Sequence, residues 1–195
     1  MKSKEPVLID FPSECESGRL LIRAPLPGDG KVVNDAILES FEELRHWMAW
    51  AQNRPSVEDS ETVVRNASAD FALRKDLVFF MFLKETGQFI GGTGLHRINW
   101  AVPKFEIGYW CRTSQTGKGY VKEAAARLAT FAFEDLGAQR VEIRADAKNE
   151  RSWRIPEKLG FSFEATLRND ARTPQGELRD TRVYSIVSLR ELVSK

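Results

Sequence analysis

The sequence predicts an α+β fold organised around one mostly antiparallel sheet. Strand-like runs follow one another across short turns, at residues 77–83 and 89–98 and again at residues 161–170 and 176–189. A central stretch, residues 106–161, adds a strand, a glycine loop, an amphipathic helix, another strand and another helix. Strands joined by short turns form antiparallel hairpins, so the sheet is expected to be antiparallel over most of its width.

Length and composition limit the possible functions. With 195 residues, 42% hydrophobic and 29% charged, the chain has ordinary globular composition, and we expect one domain over residues 1–195 with a loose arm at residues 1–17. A net charge of +1 argues against nucleic-acid or membrane binding by bulk charge. We find no signal peptide or membrane span and expect a cytoplasmic protein. Cys15 and Cys111 match no metal spacing and are expected to be free thiols.

The first half of the chain predicts a strand followed by helices. Residues 19–24 suit a first strand, which the following prolines stop. Apolar residues recur at helical spacing over residues 29–50, as one long or two short helices. Ser56 is placed to cap the next helix, and Asp59, three residues later, completes a weak variant of the capping box.

A glycine-interrupted hairpin comes next. Residues 77–83, LVFFMFL, predict a strand buried on both faces, and residues 89–98 predict its returning partner. Three glycines weaken that partner and indicate a β-bulge or the close approach of another group. They are Gly91, Gly92 and Gly94. Another strand follows Pro103.

A glycine loop opens the first helix of the central stretch. Residues 115–120, QTGKGY, lead into a helix that keeps its apolar period as far as Gly137, the expected C-cap. Glycines let the backbone approach an anion, which free N–H groups and the helix dipole then bind. The residues after Lys118 fit neither a nucleoside-triphosphate loop nor a dinucleotide fingerprint. Alone, the loop fits an anion site and an ordinary turn equally well.

Polar residues flank this loop on both sides. Asn149 is expected to cap the second helix, with Ser152 one turn further on the same side. Pro156 removes one helical hydrogen bond, which frees the carbonyl of Ser152, and Gly160 ends the helix. Glu106 lies in the strand before the loop. It is either a general base or an ordinary solvated residue of the strand, and spacing alone favours the solvated residue.

In this order the elements resemble the Gcn5-related N-acetyltransferase (GNAT) superfamily, and most closely its ribosomal-protein N-acetyltransferase branch of the RimJ/RimL type. The resemblance lies in the phrases EIGYW, GKGYVKEA, FAFEDLGAQRVEIRADAKNERS and PEKLGF, with LRHWMAW before them and GELRDTRVYSI after them. It covers most of the chain. It implies a GNAT fold, with a mixed central sheet and helices on both faces, and an enzyme that uses acetyl-CoA as co-substrate without a metal.

The resemblance also implies roles for particular residues. Strand backbone beyond Glu106 would splay from its neighbour and pair with pantetheine around Trp110, Cys111 and Arg112. Pyrophosphate would lie on the N–H groups of Gln115, Thr116, Gly117, Lys118, Gly119, Tyr120 and Val121. Asn149 would hydrogen-bond the pantetheine arm, and Ser152 would assist the departing thiolate. Glu106 would accept the amine proton, directly or through water. Thr116 and Val121 differ from the residues usual at these loop positions. We expect these differences to weaken side-chain contacts with the cofactor rather than to abolish its binding.

The acceptor side carries fewer signals. Aromatic and imidazole side chains that could line it, or else belong to the core, are His46, Trp47, Trp50, His96 and Trp100. His96, at the end of a hairpin strand, is either a proton relay or, as the favoured alternative, a structural or surface histidine. Charges of the last hairpin are either solvated or in contact with a peptide or a symmetry mate. These are Arg168, Asp170, Arg172, Arg179 and Asp180.

The predicted function is transfer of the acetyl group of acetyl-CoA to a primary amine by direct attack. The leading acceptor is the N-terminal α-amine of a protein, a ribosomal one within this branch. A small amine is the first alternative, and a polyamine site would draw on acidic residues such as Glu39, Glu42, Glu43, Glu58, Asp59 and Glu61. A non-catalytic acyl-CoA sensor is the second alternative, disfavoured because Glu106, Asn149 and Ser152 are all present. A homodimer stays open, and no nucleic-acid or membrane partner is expected.

Overall fold

A computed structural model describes residues 5–193, and within them eight strands form one sheet. The strands are β1 (Glu14–Glu16), β2 (Leu20–Arg23), β3 (Leu77–Leu83), β4 (Phe89–Asn99), β5 (Lys104–Cys111), β6 (Arg140–Asp146), β7 (Ser162–Arg172) and β8 (Leu178–Ile186). Their spatial order is β1-β2-β3-β4-β5-β6-β8-β7. Between these eight strands the β5–β6 pair is parallel and every other pair is antiparallel. The predicted mixed, mostly antiparallel sheet is confirmed.

Helices cover both faces of this sheet, as predicted. They are α1 (Gly30–Glu39), α2 (Phe41–Trp47), α3 (Val57–Ala72), α4 (Tyr120–Glu134) and α5 (Glu150–Leu159). On one face Val33 of α1 and Val64 of α3 pack in a cluster with Phe80 of the sheet. On the other face Leu128 of α4 joins the larger cluster that contains Ile107. Burying apolar side chains on both faces is the main stabilising contribution to the fold.

Residues 29–50 form two short helices, and α3 begins with the predicted cap. The Asp59 N–H donates to Ser56 Oγ at 3.0 Å, and the Ser56 N–H donates to the Asp59 carboxylate at 2.9 Å. The capping box is therefore complete rather than weak.

Two local predictions are wrong. The arm predicted as loose over residues 1–17 contains β1, because Cys15 is buried opposite Ile22 and ties this segment to β2; residues 1–4 lie outside the described residues. The C-cap of α4 is Asp135 rather than Gly137. Gly137, at φ 67°, instead turns the chain after the helix so that the Ala138 N–H reaches the Ala132 carbonyl at 2.8 Å.

The glycines of β4 serve both of the purposes that the sequence left open. Met81 pairs with Gly91 and Phe82 with Phe89, so one extra residue forms a β-bulge between them. A Cβ atom at Gly92 would collide with the indole of Trp110 on β5. The returning strand therefore bulges, and it also makes room for a large side chain of its neighbour.

The parallel strands β5 and β6 pair only at their starts. Their last paired residues are Glu106 and Glu142. Beyond this point, within residues 5–193, β5 pairs only with β4 and β6 pairs only with β8. Two strand edges therefore face each other without pairing, starting at residues 107 and 143. An extended ligand can form hydrogen bonds with such an open edge.

Among the helices of residues 5–193, none combines the length and the apolar character needed to cross a membrane.

Candidate active site

A cavity of about 1000 Å³ occupies the opening between β5 and β6. His96 of β4, together with Tyr109 and Trp110 of β5, lines one side. Asn149 and Ser152, at the start of α5, line another. The cavity continues along an apolar wall formed by α1, α3 and the segment after α2, so one space connects both faces of the sheet at the opening.

The start of α5 is held as the sequence predicted. The Asn149 side-chain oxygen accepts a hydrogen bond from the Ser152 N–H at 3.1 Å, which makes Asn149 the N-cap. Pro156 lies inside the helix and Gly160 ends it at φ 86°. Both side chains of the cap, Asn149 and Ser152, therefore face the same cavity from a fixed helix turn.

Tyr109 is a part of this site that the sequence analysis missed. Its hydroxyl donates to the Ser152 carbonyl at 2.9 Å and lies 3.4 Å from Ser152 Oγ. This is the carbonyl that Pro156 leaves without a helical donor. Burial raises the pKa of the Tyr109 phenol, so the hydroxyl stays protonated and can donate at neutral pH. The freed carbonyl, already noted from the sequence, was the signal for such a donor.

The glycine loop leaves the N-terminus of α4 open. Gly117 and Gly119 have φ values of 77° and 82°, which a residue with a Cβ atom rarely adopts. Among the described residues, no side chain caps the N-terminus of α4. Lys118 Nζ donates to the buried Gln115 at 2.8 Å, and Thr116 Oγ1 donates to the Thr113 carbonyl at 2.9 Å. The side chains of the loop thus stabilise the loop itself, while N–H groups of the first helical turn remain available.

Arg19 supports this loop from β2 and was also missed. Its guanidinium donates to the Lys118 carbonyl at 3.1 Å and lies 4.4 Å from the centre of the Tyr120 ring. It also forms a salt bridge of 2.7 Å with Glu123 of α4. An arginine ninety-nine residues away in sequence gives no local signal for this contact, since nothing near it forms part of the loop.

The end of β5 is only partly available to a ligand. Trp110 packs its ring against Trp50 and Phe89, with centroids 5.9 and 5.8 Å apart. Burial raises the pKa of the Cys111 thiol to about 11, so this thiol is neutral at physiological pH. The Arg112 N–H already donates to the Ile90 carbonyl at 2.8 Å, and its guanidinium pairs with Glu39.

Glu106 lies at the point where β5 and β6 separate. Its carboxylate is 17% exposed, and Arg97 Nε lies 3.3 Å from Oε2 without a hydrogen-bond geometry. Burial raises its pKa, against the opposing effect of the Arg97 and Arg144 charges. Glu106 is not among the side chains that line the cavity, whereas its cross-strand partner His96 is.

The acceptor residues expected from the sequence separate into two groups. Trp47, Trp50 and His96 line the cavity. His46 is exposed beside Trp47, outside the cavity lining. Trp100 packs against Phe105 and donates to the Arg74 carbonyl at 3.0 Å, so it belongs to the fold rather than to the cavity.

The acidic residues proposed for a polyamine site are mostly engaged elsewhere. Glu39 and Glu43 accept hydrogen bonds from the segment after β5, and Glu61 accepts from the N–H groups of Gly28 and Gly30. Glu42 pairs with Arg54, and Asp59 belongs to the capping box of α3. Of the six, only Asp59 lines the cavity, and Glu58 is exposed outside it.

The last hairpin contributes one side chain to the cavity. Arg179 lines it and lies 3.7 Å from Asp146, a buried carboxylate at the end of β6 that the sequence analysis did not single out. Arg144 also lines the cavity and pairs with Asp170 at 3.0 Å. The other hairpin charges named from the sequence lie outside the cavity lining. Arg172 donates to the Gly176 carbonyl, Asp180 accepts from the Asn169 N–H, and Arg168 is exposed.

Over residues 5–193 no group of three or more His, Cys, Asp or Glu side chains is arranged to hold a metal ion. Within the same residues Cys15 and Cys111 are free thiols.

Comparison with known proteins places this site in a family. Residues 19–162 match the family described as "Acetyltransferase (GNAT) domain". The Bacillus subtilis protein named "Putative ribosomal N-acetyltransferase YdaF" is 31% identical over 170 residues, covering 86% of this chain and 91% of that protein.

Solved structures agree with this assignment. The microcin C7 self-immunity acetyltransferase MccE, in complex with acetyl-CoA and AMP, has a TM-score of 0.84 at 24% identity and covers 91% of this chain and 98% of its own. RimL, a ribosomal alpha-N-protein acetyltransferase in complex with coenzyme A, has a TM-score of 0.82 at 18% identity and covers 91% and 97%. At these identities the two structures show the fold. With the sequence match, they lead to one conclusion: the chain is an N-acetyltransferase of the GNAT family.

Proposed function

We propose that this enzyme transfers the acetyl group of acetyl-CoA to a primary amine, with the N-terminal α-amine of a ribosomal protein as the leading acceptor. One observation carries the proposal. The unpaired edge of β5 and the Ser152 side chain lie at the same opening between β5 and β6, and the N-terminus of α4, which has no side-chain cap, follows the end of β5 after a short connection. These are the three elements needed to hold an extended arm, bind its phosphates and meet its thioester.

The donor would be held chiefly by backbone groups. N–H groups at the start of α4 would bind the pyrophosphate, helped by the helix dipole. They are drawn from Gly117, Lys118, Gly119, Tyr120 and Val121. The N–H groups of Gln115 and Thr116, expected from the resemblance to take part, already donate to the carbonyls of Arg112 and Thr113. The pantetheine arm would pair with β5 near Trp110 and Cys111, while Arg112 has less to offer because its N–H is already bonded to Ile90. Asn149 uses its side-chain oxygen as the cap, so its amide NH₂ is the group left for the arm.

The transfer itself requires no covalent enzyme intermediate. The lone pair of the amine attacks the thioester carbonyl, the new C–N bond forms, and the C–S bond breaks with its electron pair leaving on sulfur. The unpaired N–H groups of β5 would stabilise the oxyanion, and Ser152 Oγ would donate a hydrogen bond to the departing thiolate. Cys111 takes no part as a nucleophile, because its raised pKa keeps the thiol protonated.

An amine attacks only when it is neutral, so a base is needed near the acceptor. The sequence assigned this role to Glu106, directly or through water. Because the carboxylate lies off the cavity wall, its contribution in this proposal is through water. The buried Oε2 atom, which accepts no hydrogen bond within residues 5–193, is an open acceptor for such a water.

The side chains that line the cavity suit a single amine on an otherwise neutral chain better than they suit a polyamine. Its wall beside the opening includes Trp47, Trp50, Val63 and Phe80, and most of the acidic residues near it are engaged in local contacts. A polycation would need acidic partners along its length to replace lost hydration. A peptide N-terminus presents a single amine on an otherwise neutral chain, and the name of the Bacillus subtilis relative supports the same acceptor class.

The test is thiol release from acetyl-CoA against a panel of amines. The panel holds short synthetic peptides that differ in their first residue, together with spermidine, an aminoglycoside and an amino-acid amide. Peptides with a free N-terminus are expected to release thiol, and the same peptides with a blocked N-terminus are not. Tight binding of CoA without thiol release from any amine would instead establish an acyl-CoA sensor, and release with spermidine alone would move the acceptor to the small amines.

A further inference from the structure

We propose that His96, oriented by Asp76, is the side chain that takes the proton from the attacking amine. The inference deepens the proposed function and rests on it, because it names the proton acceptor of that reaction. It gives to His96 on β4 the role of base that the family resemblance implied for Glu106 on β5, and it replaces the water-mediated contribution of Glu106 described above.

His96 has the access that Glu106 lacks. The two residues are directly paired across β4 and β5, so their side chains leave the sheet on the same face. His96 lines the cavity that also contains Ser152, and Glu106 does not. The Glu106 carboxylate lies beneath Arg97, whose Nε is 3.3 Å from Oε2. An amine entering the cavity therefore meets the imidazole before it meets the carboxylate.

Asp76 fixes the form of the imidazole. The residue directly precedes β3, and its Oδ1 atom lies 2.7 Å from His96 Nδ1. A carboxylate only accepts hydrogen bonds, so the proton of the neutral ring stays on Nδ1 and the lone pair is left on Nε2. Within residues 5–193 this is the only protein hydrogen bond of the ring. Nε2 is consequently available as a base, in the way that a carboxylate orients the histidine of a catalytic triad.

Two glycines provide the space for the ring. A Cβ atom at Gly94 would lie 2.6 Å from Nε2, and a Cβ atom at Gly108 would lie 3.1 Å from Nε2 and 2.8 Å from Cδ2. Real side chains do not tolerate such contacts without a shift of the ring. The strands around Nε2 thus carry no side chain at the two positions that would close it off, and Gly108 lines the cavity.

The proton follows a balanced path. The amine nitrogen bonds to the acetyl carbon, the C–S bond breaks, and sulfur leaves as thiolate. The proton that the nitrogen loses passes to His96 Nε2, and from there through solvent to the thiolate, so that amide and free CoA thiol are the products. Charged groups near the imidazole and its cross-strand partner Glu106 come from several neighbouring strands. They are Asp76 before β3, Arg97 on β4, Glu106 on β5, and Glu142 and Arg144 on β6.

Steady-state kinetics with the best acceptor peptide of the panel test the assignment. His96→Gln is expected to lower kcat by about 100- to 10,000-fold, the range typical of a lost general base, with the KM for acetyl-CoA within about 2-fold. Asp76→Asn, a positioning change, should lower kcat less and alter the pH profile of kcat/KM. Glu106→Gln should cost less than His96→Gln. The chain has 2 histidines, so His46→Gln, which lies outside the cavity, is the matched control.

A spectroscopic measurement separates the inference from the proposed function. In the His46→Gln variant, ¹⁵N NMR reads the single remaining imidazole without turnover, and we expect the proton of the neutral ring on Nδ1. Asp76→Asn should abolish this preference, and Gly108→Ala, which crowds the ring, should shift its signals and lower kcat. A neutral ring protonated on Nε2, or full activity in His96→Gln, overturns the inference. If no amine is acetylated by the wild type, the proposed function fails, and the inference falls with it.

Discussion

The hydroxyl of Tyr109 donates a 2.9 Å hydrogen bond to the carbonyl of Ser152. Pro156, four residues further along α5, has no N–H to offer that carbonyl. A strand residue therefore replaces the missing helical donor. The contact joins β5 to α5 at the edge of the cavity, on the side where a thioester would lie.

Replacing Tyr109 with phenylalanine removes this donor and little else. The Ser152 carbonyl then loses its partner, and we expect a loss of about 1–3 kcal/mol of unfolding free energy, measured by urea denaturation. Turnover should fall too, since Ser152 loses its support. Tyr184→Phe is the matched control, because that hydroxyl bonds Glu157 rather than the active site. Equal activity of the two variants would show that the Tyr109 contact only stabilises the fold.

Ser152→Ala tests the group that would assist the leaving sulfur. A hydrogen bond to a charged acceptor contributes about 1.5–3 kcal/mol, so kcat should fall about 10- to 100-fold. The dissociation constant of CoA, measured by calorimetry, should stay within about 2-fold. Ser152→Thr keeps a hydroxyl and should recover part of the rate. A loss of CoA affinity with unchanged kcat would show that Ser152 only binds CoA and does not assist the leaving sulfur.

Arg19→Ala tests whether the support of the glycine loop matters for the donor. Without the guanidinium, the Lys118 carbonyl and the Tyr120 ring lose the contacts that hold the loop against β2. We expect CoA to bind about 10-fold more weakly, equivalent to about 1.4 kcal/mol. Lys84→Ala, which removes an exposed pair with Glu16, is the control. Unchanged CoA affinity in Arg19→Ala would show that the loop holds its shape without Arg19.

The strands β6, β7 and β8 are joined by an acid-sensitive network. Hydrogen bonds from Arg140 and then Ser185 lower the pKa of Glu164 to about 2, from an ordinary value of 4.5. A carboxylate whose pKa is lowered on folding stabilises the fold above its ordinary pKa, and this contribution is lost as pH falls from about 4.5 towards 2.

Glu164→Gln should therefore lower the unfolding free energy at pH 7, and wild type and variant should converge as pH falls through this window. The side chain is 39% exposed, so solvent screening limits the expected loss to about 1 kcal/mol. Urea unfolding at a series of pH values measures it, with the exposed Glu85→Gln as control. A difference between wild type and variant that stays constant down to pH 3 would contradict the role of the charge.

Much of the fold could be predicted because its signals are local. The cap at Ser56, the proline inside α5 and the period of α4 each act within a turn or two of their own residues. The prediction of a loose arm failed because β1 is held by partners outside its own segment: Cys15 pairs with Ile22 and is buried in the main core cluster. Two glutamates and a buried cysteine give no pattern that predicts an edge strand.

The candidate site, too, could be predicted only where its signals lie close together in the sequence. The glycine loop, Asn149 and Ser152 lie in one stretch of sequence whose order can be recognised. The supports of the site come from other segments: Arg19 holds the glycine loop, and Asp76 holds His96 on β4. Such contacts depend on which strands become neighbours, and spacing along the chain does not encode that. Tyr109 was hidden for another reason, since its alternation with Ile107 matches an ordinary core position.

The most direct test of the central claim follows the acetyl group itself. Wild-type enzyme is incubated with acetyl-CoA labelled with ¹³C in the acetyl group and with a peptide that carries both a free N-terminus and an internal lysine. Tandem mass spectrometry then locates the label. We expect labelled acetyl on the N-terminal α-amine, at a rate that falls in Ser152→Ala and in His96→Gln. Bound CoA with no label on any amine of the panel would contradict the account.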